Sequence, residues 1–102
     1  MKPDFFTFGN GSISQWDLED LDADLSPSAQ ADELKEDLVQ VSYGENTTLD
    51  IGWYPSFAPD GHFAVVVIRN QDWDEPAFSA ECTTWSELKE AVEQAVAVAV
   101  GA

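Results

Sequence analysis

The chain is poor in positive charge. Lys2, Lys35, Arg69 and Lys89 stand against twenty Asp and Glu, for a net charge of −16. A surface so short of Lys and Arg offers little to phosphate, which excludes bare nucleic acid as a direct partner. An anionic membrane surface is excluded for the same reason. Cysteine occurs once, at Cys82, so no internal disulfide forms, and histidine occurs once, at His62. No apolar run approaches the length of a membrane span. The opening Met1 to Phe6 has no long apolar stretch behind it of the kind a secretion signal carries. A cytoplasmic protein is expected, and the sequons at Asn10 and Asn46 then read as turns. Glycine-rich phosphate loops, nucleophile elbows and zinc-ligand spacings are also missing, so no cofactor, metal or enzymatic activity is expected.

What the chain does have is enough apolar material to fold. A net charge this large suggests disorder, but 44% of the residues are hydrophobic and twelve are aromatic. At 102 residues that supports one domain with a single core.

The framework lies between Leu38 and Thr83. Leu49, Ile51 and Trp53 alternate with Asp50, Gly52 and Tyr54, as on a strand with one buried face. The run His62 to Arg69 is β-branched and apolar on both sides, which predicts a central strand covered above and below. Pro55, Pro59 and Asp60-Gly61 supply the turn between them. Upstream, Val39, Val41 and Tyr43 alternate before a Gly44-Glu45-Asn46 turn. Downstream, Phe78, Ala80 and Cys82 share a face. Thr84 and Glu87 fit a capping box, followed by Leu88, Val92, Ala95, Val96 and Ala99 at helical spacing.

Ahead of the strands, Phe5, Phe6 and Phe8 suggest an edge strand or an arm pinned by its aromatics. Ile13, Trp16 and Leu21 fit one face of a short or irregular helix. Ser26-Pro27 reads as a helix start, with Ala31, Leu34 and Leu38 recurring at helical spacing. The expected fold is α+β: a four-stranded antiparallel meander (about 38–44, 47–54, 62–69 and 76–83) with helices over about 27–37 and 85–100. Residues 1–25 form an acidic, partly irregular segment of the same domain.

Chemistry-bearing constellations are few. His62 and Cys82 are the one nucleophile–base pair available, and the expected burial of Cys82 beside Phe78 leaves its thiol inert. Asp20, Asp22 and Asp24 begin like a calcium loop. Leu25 then stands where the bend needs glycine, and Ala31 where the bidentate Glu belongs. The acids themselves say more. Nine lie between Ser12 and Asp37 against Lys35 alone, half of the net charge. Asp17, Glu19, Asp20, Asp22 and Asp24 form one candidate partner-binding patch. Asp72, Trp73, Asp74 and Glu75 form a second, an aromatic anchor in a charged rim. Tyr54, on the face opposite Trp53 and beside Asp50, suits recognition of an Arg or Lys.

A small, strongly acidic α/β domain with exposed aromatics and no catalytic motif resembles the immunity proteins of bacterial toxin systems. That resemblance implies a protein that binds a basic toxin nuclease and covers its active site or substrate surface. The partner expected is thus a basic protein, held by electrostatic docking and occlusion. Two other readings stay open: a DNA mimic or regulator that occupies a nucleic-acid-binding protein, and a domain whose acidity suits a high-salt cytoplasm without a dedicated partner.

Overall fold

The computed structural model describes residues 1–101. Five strands pair in chain order as an antiparallel meander: β1 (Ser12–Trp16), β2 (Val39–Tyr43), β3 (Thr47–Tyr54), β4 (His62–Arg69) and β5 (Phe78–Cys82). One helix follows, α1 (Trp85–Val100), started by a complete Thr84/Glu87 capping box. The fold is α+β, and the alternation of the four later strands places them where the sequence predicts.

The register explains which side chains meet. Val39 pairs with Ile51, Val41 with Leu49, Ile51 with Val65 and Leu49 with Val67, so these residues line one face. Helix α1 packs on that face, and Leu88, Val92 and Ala95 join the strand residues in one core cluster. Phe6 and Phe8 extend the cluster, the Tyr43 hydroxyl donating to the Phe8 carbonyl at 2.6 Å. The N-terminal aromatics therefore form a pinned arm rather than an edge strand.

Two elements differ from expectation. Ser12–Trp16 is an edge strand, not part of an irregular helix, with a bulge between Ile13 and Gln15. The spacing of Ile13 and Trp16 fits helix and bulged strand alike, and the β2 backbone decides between them. The helix expected over 27–37 is also absent. Ser28–Glu33 makes two short 3-10 turns broken at Gln30, and the chain leaves helical geometry at Leu34. Two competitors defeat the helix. The buried Gln30 amide donates to the Asp22 carbonyl (2.7 Å) and accepts from the Asp22 N–H (3.0 Å), so it holds a neighbouring loop. Residues 35–38, bent at Glu36, bond to β3, with Leu38 N–H on the Ile51 carbonyl and Trp53 N–H on the Lys35 carbonyl.

Helix α1 covers one face of the sheet, and the second is covered in part, the Glu36 carbonyl standing over Gly52. On this second face, Gln40, Asp50, Val66 and Ser79 form a cross-strand row, flanked by Ala64, Tyr54 and Thr48. Cover on both sides of β4 was the expectation. Ala64 and Val66 are instead only half-buried, and Ile68, though 2% exposed, stands apart from the core cluster. Half-wet sheets of this kind are ordinary in antiparallel meanders.

Candidate functional site

The acidic segment wraps the end of the sheet where β1 finishes and β2 begins. Leu18, Leu21, Leu34 and Leu38 enter the core from it, and the Trp85 indole donates to the Leu25 carbonyl at 2.7 Å. The Met1 ammonium adds three bonds, to the carbonyls of Leu18, Glu19 and Leu21. With Leu18, Leu21, Leu34 and Leu38 tied inward and Leu25 left exposed, the segment turns its carboxylates outward.

An open cleft of about 390 Å³ lies there, lined by Trp16, Leu21, Asp17, Glu19, Asp20, Glu33 and Lys35. Asp17 is its one tightly held acid. The Gln15 amide (2.8 Å) and the Lys35 ammonium (3.0 Å) keep its carboxyl below the usual range, the amide contributing most. Glu19 pairs loosely with Lys2 at 3.4 Å. Asp20, Asp22, Asp24 and Glu33 are exposed and have no cationic partner among the described residues. Nor, among those residues, are three His, Cys, Asp or Glu side chains grouped to hold a metal ion.

Asp72, Trp73, Asp74 and Glu75 occupy the β4–β5 connection at the opposite end of the sheet. Asn70 and Gln71 turn the chain with φ of 57° and 59°, and the Asn70 N–H bonds the Asn46 carbonyl. Trp73 is 54% exposed, so it stands out from the surface more than it covers it. The eight-residue strands β3 and β4 separate the two patches by about 25 Å. The sequence suggests two patches, and the fold keeps them apart.

Tyr54 belongs with the first patch. Its ring lies back over Gly52 on the open face, and its hydroxyl donates to the Glu36 carbonyl at 3.2 Å. Burial raises its pKa, helped by the nearby charges of Asp50, Glu36 and Asp37. Asp50, beside it, is 6% exposed and accepts from the Gln40 amide at 2.9 Å. Burial raises this carboxyl too, against the Gln40 bond, with Asp37 adding to the rise. Gln15 joins cleft to sheet face, its amide reaching both Asp17 and the Asp37 carbonyl (3.1 Å). Asp50 lies outside the acid runs that mark the two patches in the sequence. The available signal was an acid set between Leu49 and Ile51 in an otherwise buried strand.

His62 and Cys82 do line one cleft, of about 450 Å³, with Asp60, Glu81 and Glu87. They do not form a relay. His62 pairs with Glu81 at 3.1 Å, while burial pushes the Cys82 thiol up to about 11, with Glu87 adding to it. At neutral pH the thiol keeps its proton, and the protonated form is a poor nucleophile.

Compared with family models, curated proteins and solved structures, the chain matches none of them.

Proposed function

We propose that the protein is an acidic receptor that neutralises a basic protein partner in the cytoplasm. In its most specific form it is an immunity protein that occludes a bacterial toxin nuclease. One observation carries the reading. Of twenty acids, Asp17 and Glu19 alone pair with a Lys or Arg among the described residues, and Glu81 meets the His62 ring, which leaves seventeen without such a partner. The four cations are all engaged at home: Lys2 on Glu19, Lys35 on Asp17, Arg69 on the Val98 carbonyl and Lys89 over the Phe5 ring.

Crowded carboxylates repel one another, and a cationic partner relieves that repulsion while its approach is steered by the same field. Asp20, Asp22, Asp24 and Glu33 stand on a segment already ordered by the core, so little entropy is lost when they meet Lys or Arg. A nuclease holds phosphate with such cations, and carboxylates that pair with them take the substrate's place. The Trp73 loop, at the far end, lies within reach of the same partner only if that partner spans the length of the sheet.

The test is capture from the native host followed by binding kinetics on the purified pair. Charge reversal of Asp20, Asp22 and Glu33 should slow association at least about tenfold and flatten its salt dependence. Reversal of Asp72, Asp74 and Glu75 with Trp73→Ala measures the second patch separately. Unchanged kinetics in both sets of variants would remove the charge-based partner. A captured partner that lacks nuclease activity would leave a basic partner but not a toxin.

A further inference from the structure

We propose that Asp50 is the anchor for a guanidinium or ammonium group carried by a basic polypeptide segment lying across the open face of the sheet. This rests on the reading of the protein as a receptor for a basic partner, and it fixes where that partner's central cation sits.

The face is open in part, beyond the Glu36 carbonyl that covers Gly52. Helix α1 and the N-terminal aromatics pack on the opposite side, while Ala64 and Val66 on this one are half-buried. Asp50 sits in the middle of the row Gln40–Asp50–Val66–Ser79, in the central strand of five.

The charge is uncompensated. Asp50 is 6% exposed, its one side-chain partner among the described residues is the neutral Gln40 amide, and the chain's Lys and Arg are all committed elsewhere. A buried carboxylate without a counterion costs stability, and an Asn at this position would keep the bond to Gln40 without that cost. Positions where a fold gives up stability in this way are where function is expected.

The surroundings select a cation with an apolar stem. Asp37 and Glu36 deepen the negative field around Asp50 and Tyr54. The Tyr54 ring, laid over Gly52, offers an aromatic surface to a cation. Ala64 and Val66 offer apolar surface to the methylene chain of Arg or Lys. Through Gln15 the face runs on to the acidic cleft at Asp17, so one extended basic segment reaches both.

The probe is a short amidated peptide of alternating Arg and Val, titrated into the isotopically labelled protein at moderate salt and followed by NMR. The largest shifts should fall on Gln40, Asp50, Tyr54 and Val66. Asp50→Asn should weaken the peptide at least about tenfold, as expected for removing one member of a desolvated charge pair. Glu45→Gln, an exposed acid in the β2–β3 turn, should weaken it less than about twofold. In the unmodified protein, the Asp50 carboxyl followed by carbon NMR should titrate lower with peptide bound than without it, a readout that needs no variant to fold. Shifts confined to residues 17–37, with Asp50→Asn indifferent, would overturn the anchor and leave the basic-partner reading intact. Absence of any peptide binding even at low salt would overturn both.

Discussion

Gly52 shows how much can depend on one missing side chain. It lies in β3 where residues 35–38 press against the strand. A Cβ there would collide with the Glu36 carbonyl oxygen and come within 2.9 Å of the Tyr54 ring. The obstacle on one side is backbone, which cannot swing away, and the ring on the other is held by its hydroxyl bond to the same carbonyl. Gly52→Ala should therefore lose about 1–3 kcal/mol by urea unfolding, as overpacked positions do. It should also displace the Tyr54 ring, visible as altered ring-proton shifts. A variant as stable as the parent would mean the 35–38 segment is free to move off the strand. Glycine between Asp50 and Trp53 was readable in the sequence, but its reason was not. The close approach comes from a segment sixteen residues upstream.

At the scale of elements, the capping box and the acidic segment are opposite cases. Thr84 Oγ1 accepts from the Glu87 N–H at 3.1 Å, and Glu87 Oε1 accepts from the N–H groups of Thr83 and Thr84 at 3.2 Å each. Every partner lies within four residues, so a sequence pattern suffices to find it. Thr84→Ala should cost about 1 kcal/mol of stability by urea unfolding. The Thr83 amide first, with the Thr84 hydroxyl, holds the Glu87 carboxyl below its ordinary range. A depressed carboxyl stabilises the fold above its unfolded pKa and loses that contribution as pH falls through its folded pKa. Glu87→Gln should thus be less stable than the parent at neutral pH and converge on it in acid; a gap that persists unchanged to pH 2 would deny Glu87 this role. The acidic segment carries an equally plausible start signal at Ser26-Pro27, yet only short 3-10 turns follow and no α-helix. Gln30 is drawn out of helical geometry by Asp22, and residues 35–38 bond to β3. Both competitors are distant in sequence, and helix spacing says nothing of them.

The whole molecule measures 36 × 28 × 20 Å and carries −16. Its largest dimension is comparable to the Debye length of about 30 Å at 0.01 M salt and several times the length of about 8 Å at 0.15 M. At low salt every carboxylate therefore feels nearly all the others, and compactness is opposed by self-repulsion. Tm should rise by several degrees between about 10 mM and 150 mM salt and then flatten, since about 1 kcal/mol shifts a domain of this size by some 4–8 °C. A Tm independent of salt would show the carboxylates to be too far apart, or too well screened, to oppose folding. The same field bears on binding, and here distribution matters as well as total. The two patches legible as charge runs lie at opposite ends of the sheet. The buried acid on the open face, Asp50, adds one charge and leaves no run.

Alternation along β2 to β5, the Asp60-Gly61 turn, the capping box and the acid excess were settled by the sequence alone, because each depends on residues a few positions apart or on a simple count. Only the tertiary structure decided that Ser12–Trp16 pairs as a fifth strand and that residues 27–37 form no α-helix. It also decided that one sheet face stays only partly covered, with the buried Asp50 near its centre. Those outcomes depend on which distant backbone groups and side chains compete for the same hydrogen bonds, and that competition is resolved only when the chain has closed on itself.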